Sequence, residues 1–300
     1  MKKPAASQIV IGLVIFLFFL LITFPFQNLR SYVFKKIFDA SGIIVTADSM
    51  APNLLGWPGV SLSNSTVTIP TGSGDIALSS KGLVTRARLA GFLPPIPAVS
   101  LSLSGLKGGG DVFARVARSG DVVKVLAEAE HTNLAQILIP GFPEPIPGKL
   151  NMDTNLSVDG KDLSKSTGTL DLDIEKIMIP ALNLQGIILP VLNLGDVKVK
   201  LAVKNGAVEI VNFKIGSKTS DLSGSLTGEM RLGQTIYNSA VNLTLKLSLS
   251  PAYKANPQGA TLVSLLESYK NSNGEYGLKW NATIQDMMTG MGALPQKVSY

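Results

Sequence analysis

The sequence contains no cysteine and a single histidine, His131, and these two absences remove most catalytic chemistries. Without cysteine the chain has no disulfide, thiol nucleophile, iron–sulfur cluster or cysteine-bound zinc. One histidine lacks the partners for a catalytic triad or a histidine-based metal site. The glycines of Gly108–Gly110 lack the Lys-Ser/Thr pair of a phosphate-binding loop. We therefore expect a protein that is not an enzyme, with no catalytic residues, metal or cofactor.

Positive charge is scarce where a nucleic-acid binder would need it. The chain carries 27 basic and 21 acidic residues, but residues 1–40 hold five of the basic residues and only one acid, Asp39. The remainder is close to neutral and contains no basic stripe with interleaved aromatic residues. The sequence therefore predicts no nucleic-acid partner.

Long apolar runs are also rare, since only one occurs, near the N-terminus. Residues 9–24 carry no charge and, with their apolar flanks, reach the roughly 17–20 residues that a helix needs to cross a bilayer. No small-residue cleavage site follows, which favours an uncleaved signal-anchor over a cleaved signal peptide. The side chains expected to face lipid include Ile9, Leu13, Phe16, Leu20 and Phe24.

The run divides the chain into a membrane segment and a single large domain. We predict a cytoplasmic N-terminus (1–8), a transmembrane signal-anchor (9–26), an amphipathic helix (27–41) and a periplasmic β domain (42–300). Basic residues flank the span almost equally, so the orientation follows from the tendency of long downstream domains to translocate. A large domain without cysteine is typical of a bacterial envelope protein. The expected location is the inner membrane, crossed once. The amphipathic helix either lies at the headgroup level, plugs one end of a sheet, or caps the first strand as a stalk.

After residue 42, apolar and polar residues alternate with period 2 over about a dozen segments, as in Leu243–Leu249. Such alternation predicts an antiparallel sheet with one apolar and one polar face. Helix is scarce, and the one convincing late candidate spans 259–270. We therefore predict a mainly β fold in which the sheet curls into a groove or forms an open sandwich; a closed barrel is the alternative. Two similar proline-rich segments allow a division into halves, 42–147 and 148–300.

The apolar face is the candidate binding surface, because one helix cannot cover it. An uncovered face of this kind binds lipid acyl chains, or a strand or helix of a partner. Small inward residues, including Ala114, Ala127, Gly224 and Gly228, leave room over it or permit curvature. The residues expected to line the groove are Leu170, Leu172, Ile174, Val199, Leu201, Leu226, Leu243, Leu245, Leu247 and Trp280.

Three acidic residues alternate along one predicted strand, at Asp171, Asp173 and Glu175. Period 2 directs all three side chains to the polar face. They form either a divalent-cation site or, as we expect, a solvated strand face.

Several local features resemble the N component of bacterial type II secretion systems. These are the segment Leu55–Val60 before a strand, the strand around Ser220–Gly228, and the late helix followed by Asn273–Leu278 and a final strand. The resemblance covers most of the chain. It implies an inner-membrane anchored periplasmic component, without catalytic residues, that assists export of proteins across the outer membrane of Gram-negative bacteria. Its implied partners are the inner membrane and other secretion-system components.

The same order of anchor and amphipathic strands is similar to AsmA-like envelope proteins, in which a β groove carries lipid. That resemblance implies a lipid-binding or lipid-transfer protein with phospholipid bound in the groove. A third hypothesis, an envelope hydrolase, is disfavoured because the sequence contains no nucleophile–base pair.

Overall fold

The computed structural model describes residues 26–53, 59–71, 74–90, 96–137, 144–184, 187–217, 219–289 and 295–298. In these ranges the chain is mainly β, as predicted. Fifteen strands form one antiparallel sheet, and two more form a separate ribbon. The first and last strands of the described sheet do not pair with each other, so the sheet is open.

Each strand of the large sheet pairs with strands close to it in the chain. The strands are β1 (Ile44–Thr46), β2 (Ser49–Asn53), β3 (Gly59–Thr71), β4 (Gly74–Ala90), β5 (Ile96–Leu106), β6 (Asp111–Ser119), β7 (Val122–Asn133), β8 (Lys149–Asp159), β9 (Thr167–Ile179), β10 (Leu182–Leu184), β11 (Ile187–Leu189), β12 (Leu192–Lys204), β13 (Ala207–Ile215), β14 (Leu222–Arg231), β15 (Ala240–Leu249), β16 (Tyr276–Thr283) and β17 (Gln296–Lys297). The path runs in chain order from β1 through β3 to β9 and from β12 to β17, β2 pairs with β3, and β10 with β11 forms the ribbon.

Short turns fix this meander. The predicted turn at Gly120-Asp121 joins β6 to β7 with Ser119 opposite Val122. Asn205-Gly206 joins β12 to β13, and both residues have positive φ, 47° and 73°. Two positive φ values are what a mirror-image hairpin turn requires, which explains the Asn-Gly pair.

Within the described ranges helices are few, and they lie near the beginning and the end of those ranges. They are α1 (Phe26–Ser41), α2 (Pro251–Ala255), α3 (Ala260–Leu266) and α4 (Ile284–Thr289), with 3₁₀ turns at Leu134–Gln136, Leu163–Lys165, Pro257–Gly259 and Glu267–Tyr269. Helix α3 and the turn after it occupy the segment predicted to be the late helix. The end of α1 at Ser41 agrees with the predicted end of the amphipathic helix.

Helix α1 is attached to the beginning of the sheet. The Arg30 guanidinium donates hydrogen bonds to the carbonyl oxygens of Ala47, at 2.9 Å, and Asp48, at 2.6 Å. Val33, Phe34 and Ile37 pack against buried side chains of β1–β5. Of the roles expected for this helix, the contacts agree with covering the first strands.

The alternation breaks at five positions where the backbone takes a left-handed conformation. These phase breaks are Asn64, Gly105, His131, Lys176 and Gly195, with φ of 46°, 58°, 48°, 53° and 66°. Ladders shift register at or beside the last three. Asn64 lies in β3 opposite Lys81, where both residues drop out of an otherwise constant register. The separate strands predicted around Val60–Leu62 and Val67–Ile69 are therefore one strand, β3.

The phase breaks keep apolar residues on one face. Ile174 and Ile177 are three residues apart, and regular alternation would direct them to opposite faces. Both pack in one cluster, as do Leu194 and Val197 on the neighbouring strand. Each break therefore absorbs one residue, as a β-bulge does, and such irregularities bend the strand.

Polar side chains from neighbouring strands accept hydrogen bonds from backbone N–H groups at two of the phase breaks. Asn151 Oδ1 accepts a hydrogen bond from the His131 N–H at 2.8 Å, and Asp196 Oδ1 accepts one from the Lys176 N–H at 3.1 Å. These bonds satisfy backbone donors that the shifted ladder leaves without their regular acceptor. His131 is an exposed residue at an irregular position, in agreement with its interpretation as a surface or turn residue.

The predicted boundary between two halves falls between β7 and β8. These strands pair from Val122 opposite Asp159 to Asn133 opposite Lys149, so one sheet passes through the boundary. The anchor residues Ile9, Leu13, Phe16, Leu20 and Phe24 lie outside the described residues. Among the residues that are described, no helix has the length and hydropathy of a membrane span.

Lys176 provides a test of the phase breaks. We expect Lys176→Gly to raise the free energy of unfolding by about 1 kcal/mol, because glycine adopts positive φ without a steric penalty. Lys176→Val should lower it by about 1–2 kcal/mol, since a β-branched residue is excluded from that conformation. Urea unfolding measures both. The control is Lys124→Gly in the regular part of β7, which should destabilise. A Lys176→Val protein more stable than Lys176→Gly would contradict the assignment.

Candidate binding surface

The ten residues predicted to line a groove lie on one face of the sheet. They come from five strands, and the register pairs several of them directly: Leu170 with Leu201, Leu172 with Val199, Leu226 with Leu245 and Leu243 with Trp280. All ten side chains are half-buried. The structure therefore brings together the residues that alternation predicted to share a face.

Three buried clusters fill only some of this face. The N-terminal cluster is Val45, Met50, Leu62, Val67, Leu83, Leu103 and Leu106. The central cluster is Ile146, Ile177 and Val197. The C-terminal cluster is Leu222, Leu249, Tyr253, Tyr276 and Leu278.

Different elements cover the clusters. Side chains of α1 pack on the N-terminal cluster, and Leu262, Val263 and Leu266 of α3 pack on the C-terminal cluster. Ile146, from the segment before β8, packs within the central cluster. Of the ten candidates, Ile174, Val199, Leu245, Leu247 and Trp280 contact a cluster. Leu170, Leu172, Leu201, Leu226 and Leu243 belong to none of the three and are the open region of the face.

The open region continues onto β5–β8, where the prediction did not place groove residues. Val99 and Val116 face each other across β5 and β6 and are 58% and 44% exposed. Paired exposed valines are unusual on a face that is buried elsewhere, since apolar side chains gain free energy by leaving water. The same row continues to Val125 and Leu156, which are half-buried.

The next row of the open region is a lane of small side chains. Registered pairs connect Leu101, Ala114, Ala127, Thr154 and Leu170 in that order across β5–β9. Thr154 is 7% exposed, and its Oγ1 is buried without a hydrogen-bond partner among the described residues. Thr154 was not among the residues predicted to line the groove. The sequence feature that could have indicated it is a polar residue on an inward position of the strand, between Met152 and Leu156.

The acidic residues of β9 lie on the polar face, as expected. Asp173 pairs with Lys198 at 2.9 Å and Asp171 with Lys200 at 3.0 Å. Hydrogen bonding to Asp173 raises the pKa of Lys198 above its usual value. Among the described residues, no group of three or more acidic or histidine side chains could hold a metal ion. Pairing with lysine therefore accounts for Asp171 and Asp173, whose partners could be found only from the strand register.

The polar face is not polar throughout. On β4–β7 it carries Val84, Phe113 and Leu126 beside Arg86 and Arg115, and the Arg115 guanidinium lies 5.6 Å from the centre of the Phe113 ring. Arginine side chains cover apolar surface with their methylene groups while the charge stays near water. This arrangement makes the face compatible with solvent despite its apolar residues.

Two tyrosines lie in the C-terminal cluster. Burial raises the pKa of both Tyr253 and Tyr276. Tyr276 is 1% exposed and forms the floor of the cluster under α3. The Lys254 ammonium lies 5.7 Å from the centre of the Tyr276 ring.

The chain was compared with family models, curated proteins and solved structures, and no match was found in any of the three.

Truncating apolar residues should reveal which region of the face is covered. Leu103 lies in the N-terminal cluster and is 2% exposed. We expect Leu103→Ala to lower the free energy of unfolding by about 3 kcal/mol. Leu172→Ala, in the open region, should cost about half of that or less, because water already reaches the side chain. Urea unfolding of both variants measures the difference. Equal costs would show that Leu172 is as fully covered as Leu103.

Proposed function

We propose that the chain is a non-enzymatic, inner-membrane anchored periplasmic component of a type II secretion system. The observation that carries the proposal is an open sheet of fifteen strands whose apolar face is only partly covered by the described residues of its own chain. A face of this kind is a surface for binding rather than for chemistry. We choose the type II secretion system because of the resemblance of the sequence to its N component.

The connection between α1 and the sheet supports a role next to the membrane. The apolar run ends at Phe24, and α1 begins at Phe26. Because Arg30 and the packing of Val33, Phe34 and Ile37 fix α1 to the first strands, the sheet begins close to the anchor. At about 4.8 Å per strand, the path from β1 to β17 is about 60 Å long when measured along the sheet.

A second function, lipid binding, is favoured by one specific observation. The open region of the apolar face is continuous from Val99 on β5 to Leu243 on β15, and its apolar side chains are half-buried or exposed, whereas Thr154 among them is buried. An acyl chain gains free energy along such a surface in proportion to the area that leaves water. The membrane beside the anchor is a source of phospholipid. A secretion component can hold lipid, so the two functions are compatible.

Deleting the gene tests the first function. We expect substrates of the secretion system to accumulate in the periplasm, because the envelope machine lacks one component, and the full-length tagged chain to copurify with the inner-membrane platform. Immunoblots of medium and periplasm measure the first result. Plasmid-borne wild-type chain is the control and should restore secretion. Normal secretion without the gene would contradict the proposal.

A charge on the open region tests lipid binding. Leu201→Glu should reduce phospholipid recovered with the full-length chain at least about tenfold, since a carboxylate is costly next to an acyl chain. Ala202→Glu is the matched control, because it introduces the same charge one residue along on the polar face. Mass spectrometry of extracted lipid gives the amounts, and unfolding curves verify that both variants fold. Equal lipid in both variants would contradict binding on this face.

A further inference from the structure

We propose that the Thr154 hydroxyl hydrogen-bonds the ester carbonyl of an acyl-chain ligand held on the small-residue lane. This inference rests on the lipid-binding function proposed above and adds to it a polar contact and a ligand class. Two independent observations carry it: the lane of small side chains and the unpaired hydroxyl within it.

The lane is bounded by leucines. Leu101 stands at one end and Leu170 at the other, with Ala114, Ala127 and Thr154 between them. At about 4.8 Å per strand, the two leucines are about 19 Å apart along the sheet. The row of three small side chains between them is the channel that we assign to the acyl chain, and its length matches most of such a chain.

Thr154 interrupts the apolar lining of this channel with one polar group. Its side chain is more than nine-tenths buried, and its Oγ1 lacks a hydrogen-bond partner among the described residues. A buried hydroxyl without a partner is unfavourable, and nearly all buried polar groups in proteins are paired. A ligand that brings a hydrogen-bond acceptor to this point removes the penalty.

The surroundings define what that acceptor can be. Thr154 has Ala127 and Leu170 on its two neighbouring strands and Met152 and Leu156 on its own strand, all on the same face. A charged headgroup would be poorly solvated among these side chains. An ester carbonyl is neutral, accepts a hydrogen bond and is attached to an alkyl chain. Met152 is unbranched and flexible, so a change of its rotamer can admit the ligand.

A competition between two lipids tests the contact. The full-length chain, purified in detergent, is incubated with an equimolar mixture of a diacyl phosphatidylethanolamine and its dialkyl ether analogue, which lacks the carbonyls. The retained lipids are then measured by mass spectrometry. We expect retention of the ester lipid to exceed that of the ether lipid about 3- to 10-fold, the effect of one hydrogen bond.

Thr154→Val removes the hydroxyl and keeps the shape. It should bring the retention ratio to about one and raise the melting temperature of the lipid-free protein, because the unpaired group is gone. Thr169→Val is the matched control. Thr169 is exposed on the polar face of β9, next to Leu170, and its replacement should leave the ratio as in the wild type.

The possible outcomes distinguish failure of the Thr154 contact from failure of lipid binding itself. If wild-type chain retains both lipids equally, or Thr154→Val keeps the ester preference, the Thr154 contact is wrong while lipid binding stands. If the wild-type chain retains neither lipid, lipid binding itself is wrong. A dimer without lipid would indicate that a second copy covers the face, which also overturns the inference.

Discussion

The structure depends on one constraint: every strand of a fifteen-stranded sheet has to present its apolar residues to the same side. Regular alternation achieves this within a strand, but long strands such as β3, β9 and β12 also change phase. The left-handed residues Asn64, Lys176 and Gly195 let them do so without turning apolar side chains into water. Each phase break also bends its strand. The residues that keep the apolar side chains on one face are therefore also the places where the sheet can curve toward that face.

The same constraint explains why the face stays partly open. The described helices are short and lie at the ends of the chain, so α1 covers the N-terminal cluster and α3 the C-terminal cluster. The strands between them have only the segment at Ile146 above the central cluster. The remaining rows have no comparable covering element among the described residues, and their leucines and valines are half-buried or exposed. The positions of the described helices therefore decide which part of the apolar face stays accessible to a ligand.

Much of the fold followed from the sequence, since period-2 alternation and Asn-Gly or Gly-Asp turns depend on neighbouring residues. The antiparallel class, the shared face of the ten candidate residues and the late helix were predicted correctly. The phase breaks were not, because a polar residue such as Asn64 is equally typical of a turn, and β3 was divided in two. Features that join distant parts of the sequence were not predicted, because they depend on the register between strands. These are the ion pairs Asp171–Lys200 and Asp173–Lys198 and the position of Thr154 among small residues. The groove itself, the anchor and the secretion role stay predictions.

The two faces of the sheet differ in their charge distribution. On the central strands of the polar face, carboxylates and lysines neutralise one another, and exposed pairs of this kind contribute little free energy and are screened by salt. Where these pairs form, on β9 and β12, the face offers a charged partner little net attraction. The apolar face is different, because its half-buried leucines gain free energy from any ligand that displaces water. Selectivity on such a surface requires a polar group that only some ligands can satisfy, since apolar area alone does not distinguish one acyl chain, strand or helix from another. A buried hydroxyl in the middle of the lane meets that requirement with a single atom.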